Sequence, residues 1–360
     1  MNIFNKKPRY FDIADTKWGH PEAIAYWSPE HSEDAANPME ILSNPNVPDE
    51  VKTAHYEKEI VPMFQGFAES QRDEAIEVKE YEAPGCPEEP DAPVKIVVYT
   101  PVALKGKKKK PILFITLGGG MLVVRPEMFP IGDYCKKYNC VCVVPIYRTM
   151  FQAKYPGAIN DLHAAYQWMV ENAETLGVDK DKVVIHGISS GGHLATCIPF
   201  RLMRYGFSPR GIVAVSPITD DRSMYDSARL ALRGYWDDWD GASLRKMAAT
   251  WMGDNFASPL VGPDAFANHA TIEECVGYPP LFIHTGEFEP DRDNNKEFIA
   301  KILAAKSFAE YHIWGGGQHA LTGWADPSPL IDRITTIIEG NIKDCWKYDL
   351  RRPWVYEDEK

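Results

Sequence analysis

Five short runs of nearly unbroken apolar residues dominate the middle of the chain: PILFITL (111–117), CVCVVPI (140–146), KVVIH (182–186), GIVAVSP (211–217) and PPLFIHTG (279–286). Each is too short for a helix, and most are rich in β-branched residues. Runs of this kind read as strands buried on both faces. VKIVVYT (94–100) and AEYHIW (309–314) read as two more strands. Helical spacing fills the intervals. Ile159, Leu162, Tyr166 and Met169 share one face over 157–173, and Leu194, Ile198, Leu202 and Tyr205 share one after residue 192. Helices are also expected over 296–306 and 329–342. Strands alternating with helices predict an α/β fold with a mostly parallel central sheet covered on both faces. The 360 residues suffice for one large domain of this type with insertions.

One strand-to-helix junction carries a reactive pattern. KVVIH runs into Gly187-Ile188-Ser189-Ser190-Gly191-Gly192, and a helix follows at once. G-x-S-x-G between a strand and a helix is the context of a nucleophile elbow. The turn is tight, so the residues two before and two after the serine must lack side chains. Only Ser189 has glycines at both positions; Ser190 does not. Without its flanks, the same hexapeptide is a plain Gly/Ser turn.

Functional groups in such sheets collect at the carboxyl ends of strands. Three further loops lie there. Gly118-Gly119-Gly120 follows 111–117, and glycines let backbone amides approach a small oxyanion. Taken alone, three glycines describe a flexible turn equally well. The loop 286–293 offers Glu287, Glu289, Asp291 and Asp293, any of which can orient an imidazole. The loop 315–319 is glycine-rich and ends in His319, which it can bring over the serine. The order serine, acid, histidine, each at a strand end, is that of α/β-hydrolases.

At these motifs the chain resembles the hormone-sensitive-lipase-like branch of the α/β-hydrolases, a group of carboxylesterases and lipases. The resemblance spans about 93–342. GISSGG is similar to the branch's GDSAGG, LGGG (117–120) to its HGGG, and 144–168 to its V-x-Y-R-L-A-P-E…P-x-A-x-x-D segment. EFEPDRD (287–293) is similar to E-x-D-P-L-R-D, which puts the catalytic acid on Glu289; QHALTGW puts the histidine on His319. The resemblance thus implies a catalytic triad of Ser189, Glu289 and His319, with an oxyanion hole from Gly118, Gly119 and Ser190. Ser190 contributes there through its backbone, and its side chain is expected to be nearly dispensable. The chain departs from the pattern at Leu117, Ile188, Ser190 and Glu289, where the branch has His, Asp, Ala and Asp. A polar brace for the glycine loop, in place of that histidine, is expected from Arg148 or Tyr147.

The implied division is an N-terminal cap or peripheral segment (1–92), a catalytic domain (93–345) with an inserted helical cap segment (220–275), and a tail (346–360). Within the first, one helix is expected over Asp49 to Phe67, with Val51, Ala54, His55 and Ile60 on one face. The lysine run 105–110 is expected at a solvated hairpin tip. Tyr235, Trp236, Trp239 and Trp251 enrich the inserted segment in aromatics, suited to an apolar pocket or to core.

A net charge of −12 argues against a nucleic-acid partner. There is no G-x-G-x-x-G after a first strand and no G-K-[ST], so nucleotide cofactors are not expected, and no His/Cys/Asp group has metal-ligand spacing. No cofactor and no metal are expected. Seven cysteines without a C-x-x-C pair, Cys140 and Cys142 alternating inside one strand, and no apolar leader point to a reduced, cytoplasmic setting. The expected activity is cleavage of a small or medium carboxylic ester through an acyl-enzyme on Ser189. The alternatives are the same triad acting on an amide, lactone or carbon–carbon bond, or a non-catalytic binding protein of the same fold. A homodimer is left open.

Overall fold

Eight strands join in a single sheet in the order β1-β2-β4-β3-β5-β6-β7-β8. They are β1 (Ile76–Ala83), β2 (Val94–Pro101), β3 (Lys110–Thr116), β4 (Val141–Ile146), β5 (Val178–Ile188), β6 (Gly211–Val215), β7 (Leu281–Gly286) and β8 (Ala309–Trp314). From β4 to β8 all neighbours run parallel, while β1 and β2 pair antiparallel at one edge. The computed structural model describes residues 40–44, 46–70, 73–222, 227, 241–256, 258, 261–287, 289–315, 317, 319–320 and 329–351. Of the aromatic residues singled out in the inserted segment, Tyr235, Trp236 and Trp239 lie outside these.

The expected parallel sheet under helices is what forms. Strands β4, β6 and β7 have almost no side chain in solvent. Strands of a parallel sheet are joined by crossover helices that cover its faces, so both faces are buried. The α-helices of seven residues or more among the described residues are α1 (Asp49–His55), α2 (Val61–Ser70), α3 (Ile131–Tyr138), α4 (Gly157–Glu171), α5 (Ser190–Arg204), α6 (Gly241–Met252), α7 (Arg292–Ala304) and α8 (Pro329–Lys347). In α4 the expected face holds: Ile159, Leu162, Tyr166 and Met169 are all buried. In α5, Leu194, Ile198 and Leu202 are buried, but Tyr205 lies just past the helix end and is exposed; its hydroxyl donates to Glu88.

Several expectations are corrected. The lysine run is not a hairpin tip, because β2 pairs with β4 rather than with β3. It is part of a crossover, and Lys110 is itself buried. The sheet also starts earlier than residue 93, since β1 pairs with β2 along its whole length, Ile76 opposite Pro101 to Ala83 opposite Val94. The helix expected over Asp49 to Phe67 is interrupted by a π-helical turn, Tyr56–Ile60. Its buried residues are Lys52, Tyr56 and Ile60, and Val51 is exposed. These three are spaced by four, and a wider turn holds that spacing on one face better than 3.6 residues per turn does.

That N-terminal helical segment bears on the glycine loop. Leu42, Tyr56 and Ile60 form a small apolar cluster with Val123 and Phe151, apart from the main core. The Tyr56 hydroxyl contacts the Val124 amide and carbonyl, both at 3.2 Å. In the inserted segment, Trp251 is a core residue: it is buried and packs edge-on against His193, Tyr155 and Phe266. All seven cysteines are buried and unpaired in disulfides. Among the described residues no helix is long and apolar enough to cross a membrane.

Candidate active site

The site is built where β5 turns into α5. Ser189 sits at the junction with φ 60° and ψ −127°. A side chain in that region costs about 1–3 kcal/mol of backbone strain. The strain is held by close approach of the neighbouring backbone. A Cβ on Gly187 would overlap the Gly191 carbonyl and the Thr116 hydroxyl, and one on Gly191 would overlap the Thr116 carbonyl. The end of β3 therefore packs straight onto the turn, and Thr116 ties it by donating to the Gly191 carbonyl at 2.8 Å. The Ser189 amide donates to Val215 of β6 at 2.9 Å.

Two loops bring the other groups. Glu289 follows β7 and is fully buried. His319 follows β8. Its Nδ1 lies 2.7 Å from Glu289 Oε2, and its Nε2 lies 2.8 Å from Ser189 Oγ. The imidazole thus bridges carboxylate and hydroxyl, each at hydrogen-bond distance on a different ring nitrogen. Residue 320 supports the loop through its amide, which donates to Ser216 Oγ at 3.0 Å.

Asp291 and Asp293 of the acid loop have other neighbours. Asp293 pairs with Arg292 and accepts from the Ser227 amide. Asp291 is buried beside Asn294, whose amide reaches it at 3.4 Å. Burial, with Glu289 and then Asp220 nearby, pushes the Asp291 carboxyl well above the usual carboxylate range. Burial of this kind favours the neutral, protonated form of Asp291.

The glycine loop faces the serine turn. A Cβ on Gly118 would overlap the Ile188 carbonyl, and Gly119 holds φ +115° with its carbonyl accepting from Leu122 and Val123. Among the described residues, the amides of Gly118, Gly119 and Ser190 donate to no backbone carbonyl. Of the two residues expected to brace this loop, Tyr147 touches it: its hydroxyl donates to the Leu117 carbonyl at 2.6 Å. Arg148 instead forms a two-sided ion pair with Glu89 and Asp161. That pairing, led by the Arg148 hydrogen bond, holds the Glu89 carboxyl down at about 2.

Two trios of possible metal-ligating groups converge in space although their sequence spacing does not suggest it: Cys86, Glu88 and His163, and Asp220, Asp221 and His269. Both are already paired from within. Glu88 is bound by Arg201, Tyr205 and His163. Asp220 is bound by Arg222 and Asn268, and Asp221 by His269.

A central parallel sheet, a strained serine at a strand-to-helix turn, and an acid and a histidine from the ends of the last two strands define the α/β-hydrolase class. The family described as alpha/beta hydrolase fold matches residues 118–323, more than half of the chain. The chain belongs to that family, in the hormone-sensitive-lipase-like branch of the α/β-hydrolases. An arylesterase of Saccharolobus solfataricus is 24% identical over 284 residues, covering 77% of this chain and 84% of that protein. The esterase LipI of Mycobacterium tuberculosis is 23% identical over 252 residues, covering 68% of this chain and 76% of that protein. Among solved structures, a thermostable esterase from Pseudomonas putida superposes with a TM-score of 0.71 at 21% identity, covering 94% of this chain and 99% of that one. A fungal esterase from Rhizomucor miehei gives 0.74 at 20% identity, covering 91% and 98%.

Proposed function

We propose that this protein is a carboxylesterase that cleaves a small or medium ester through an acyl-enzyme on Ser189. The observation that carries the reading is the continuous line from Glu289 through His319 to Ser189, with contacts of 2.7 and 2.8 Å. The esterase names of its relatives support the reaction class. A serine hydroxyl is a weak nucleophile at neutral pH, so His319 Nε2 takes its proton as the oxygen attacks the ester carbonyl. Glu289 accepts from Nδ1, which sets the tautomer and stabilises the imidazolium that forms. Its burial keeps water from competing for that bond. The tetrahedral oxygen lies against the amides of Gly118, Gly119 and Ser190, and fixed donors of this kind stabilise charge as it develops. His319 then returns the proton to the leaving alcohol, and water repeats the cycle on the acyl-enzyme.

In this reading the N-terminal segment is a cap or a peripheral segment, 220–275 is an inserted cap segment, and the setting is cytoplasmic. The buried, unpaired cysteines support a reducing compartment. The test is a series of p-nitrophenyl esters of graded acyl length beside matched anilides. Ester turnover exceeding anilide turnover by orders of magnitude supports the proposal; preferential anilide cleavage favours an amidase on the same groups.

A further inference from the structure

The glycine run 118–120 is pinned at both ends by side-chain hydroxyls. At one end the Tyr147 hydroxyl donates to the Leu117 carbonyl at 2.6 Å. At the other, the Met121 amide donates to Ser190 Oγ at 3.1 Å. Tyr147 and Ser190 are both buried, at 1% and 0% exposure, so neither hydroxyl has bulk water as an alternative partner. Burial raises the Tyr147 pKa, so its hydroxyl stays protonated and able to donate. The two bonds hold the run between them, Tyr147 O–H to the Leu117 carbonyl on one side and Met121 N–H to Ser190 Oγ on the other. Buried polar groups of this kind are costly to leave unpaired, so each bond favours one position of the backbone it holds.

We propose that Tyr147 and Ser190 are positioning residues, whose hydroxyls hold the two ends of the glycine loop so that the Gly118 and Gly119 amides converge on the carbonyl oxygen at Ser189. The proposal rests on the esterase reading and goes beyond it. Glycines supply access but no rigidity, and donors stabilise an oxyanion only when held in place before it forms. The rest of the loop is already tied: Gly119 O accepts from Leu122 and Val123, and Met121 O accepts from Met150. The flanks of the run are the remaining freedom. The side chain of Ser190, expected from the sequence to be nearly dispensable, thereby acquires a role separate from that of its amide.

The test compares Tyr147→Phe, Ser190→Ala and the double variant with the parent. Each removes one oxygen and little volume. On one p-nitrophenyl ester, each single variant should lower kcat about 10- to 100-fold, part of what losing one oxyanion donor costs, and leave KM within about threefold. The double variant should be worse than either single one, because the two bonds hold opposite ends of the run. Amide hydrogen exchange over residues 117–123 gives a readout independent of turnover. It should quicken at least about tenfold in each variant as the loop's local opening becomes easier. Either single variant with kcat within twofold of the parent, or unchanged exchange over 117–123, would overturn the proposal. Absence of ester turnover in the parent would instead defeat the esterase reading, and the exchange measurement would still decide whether the two hydroxyls hold the loop.

Discussion

Glu289 and Asp291 are two fully buried carboxyl groups two residues apart at the end of β7, and it is Glu289 whose oxygen meets His319, at 2.7 Å. Asp291 faces Asn294 at the start of α7. Removing the charge of Glu289 should therefore cost catalysis. Glu289→Gln should lower kcat about 10⁴-fold, as the equivalent loss does in a serine protease. Asp291→Asn, which keeps shape and polarity, should stay within about tenfold, because Asp291 faces Asn294 and not the imidazole. The kcat of both variants on one ester checks the assignment; the reverse ranking would move the acid to Asp291.

Asp291 should instead show itself in stability against pH. Its folded pKa is raised, first by burial and then by Glu289 and Asp220. Between the unfolded carboxylate pKa and the raised folded value, the native state binds more protons than the unfolded one. The slope of unfolding free energy with pH is then negative, so this group's contribution falls as pH rises. Asp291→Asn removes that dependence. Urea unfolding at pH 5 and pH 8 should show the variant gaining on the parent as pH rises. A stability difference independent of pH would mean that Asp291 is ionised in the fold.

Gly119 combines a left-handed φ of +115° with a close approach in which an added Cβ would overlap the Val123 carbonyl. Gly119→Val should displace the loop and lower kcat about 10²–10³-fold, the cost of an oxyanion donor. Substrate binding away from the carbonyl should be much less affected. Steady-state kinetics on one good ester decides; an unchanged kcat would remove this loop from the oxyanion hole.

Much of the sheet is legible in the sequence because parallel strands buried on both faces cannot alternate polar and apolar residues. β4, β6 and β7 read as apolar runs for that reason. β1 was illegible on the same physics: IEVKEYEA is an edge strand with its buried residues at Ile76 and Ala83 and charged ones between. The hairpin expected between β2 and β3 failed because neighbours in sequence need not be neighbours in the sheet. The pairing of β2 with β4 is decided by long-range packing that no local pattern encodes. The line from Glu289 to Ser189 follows strand ends in chain order, so its members could be nominated before their distances were known. The hydroxyl of Ser190 could not be so read. Its partner, the Met121 amide, lies 69 residues away and arrives only when β3 packs beside β5.

The central claim is a covalent acyl-enzyme on Ser189, and intact-protein mass spectrometry during turnover of a slowly deacylated p-nitrophenyl ester tests it most directly. The account predicts a mass increase equal to one acyl group, carried by the peptide containing Ser189, with a stoichiometric burst of nitrophenol. Ser189→Ala should show neither while keeping its fold. Acylation of Ser190 or of any other residue, or full turnover by Ser189→Ala, would contradict it.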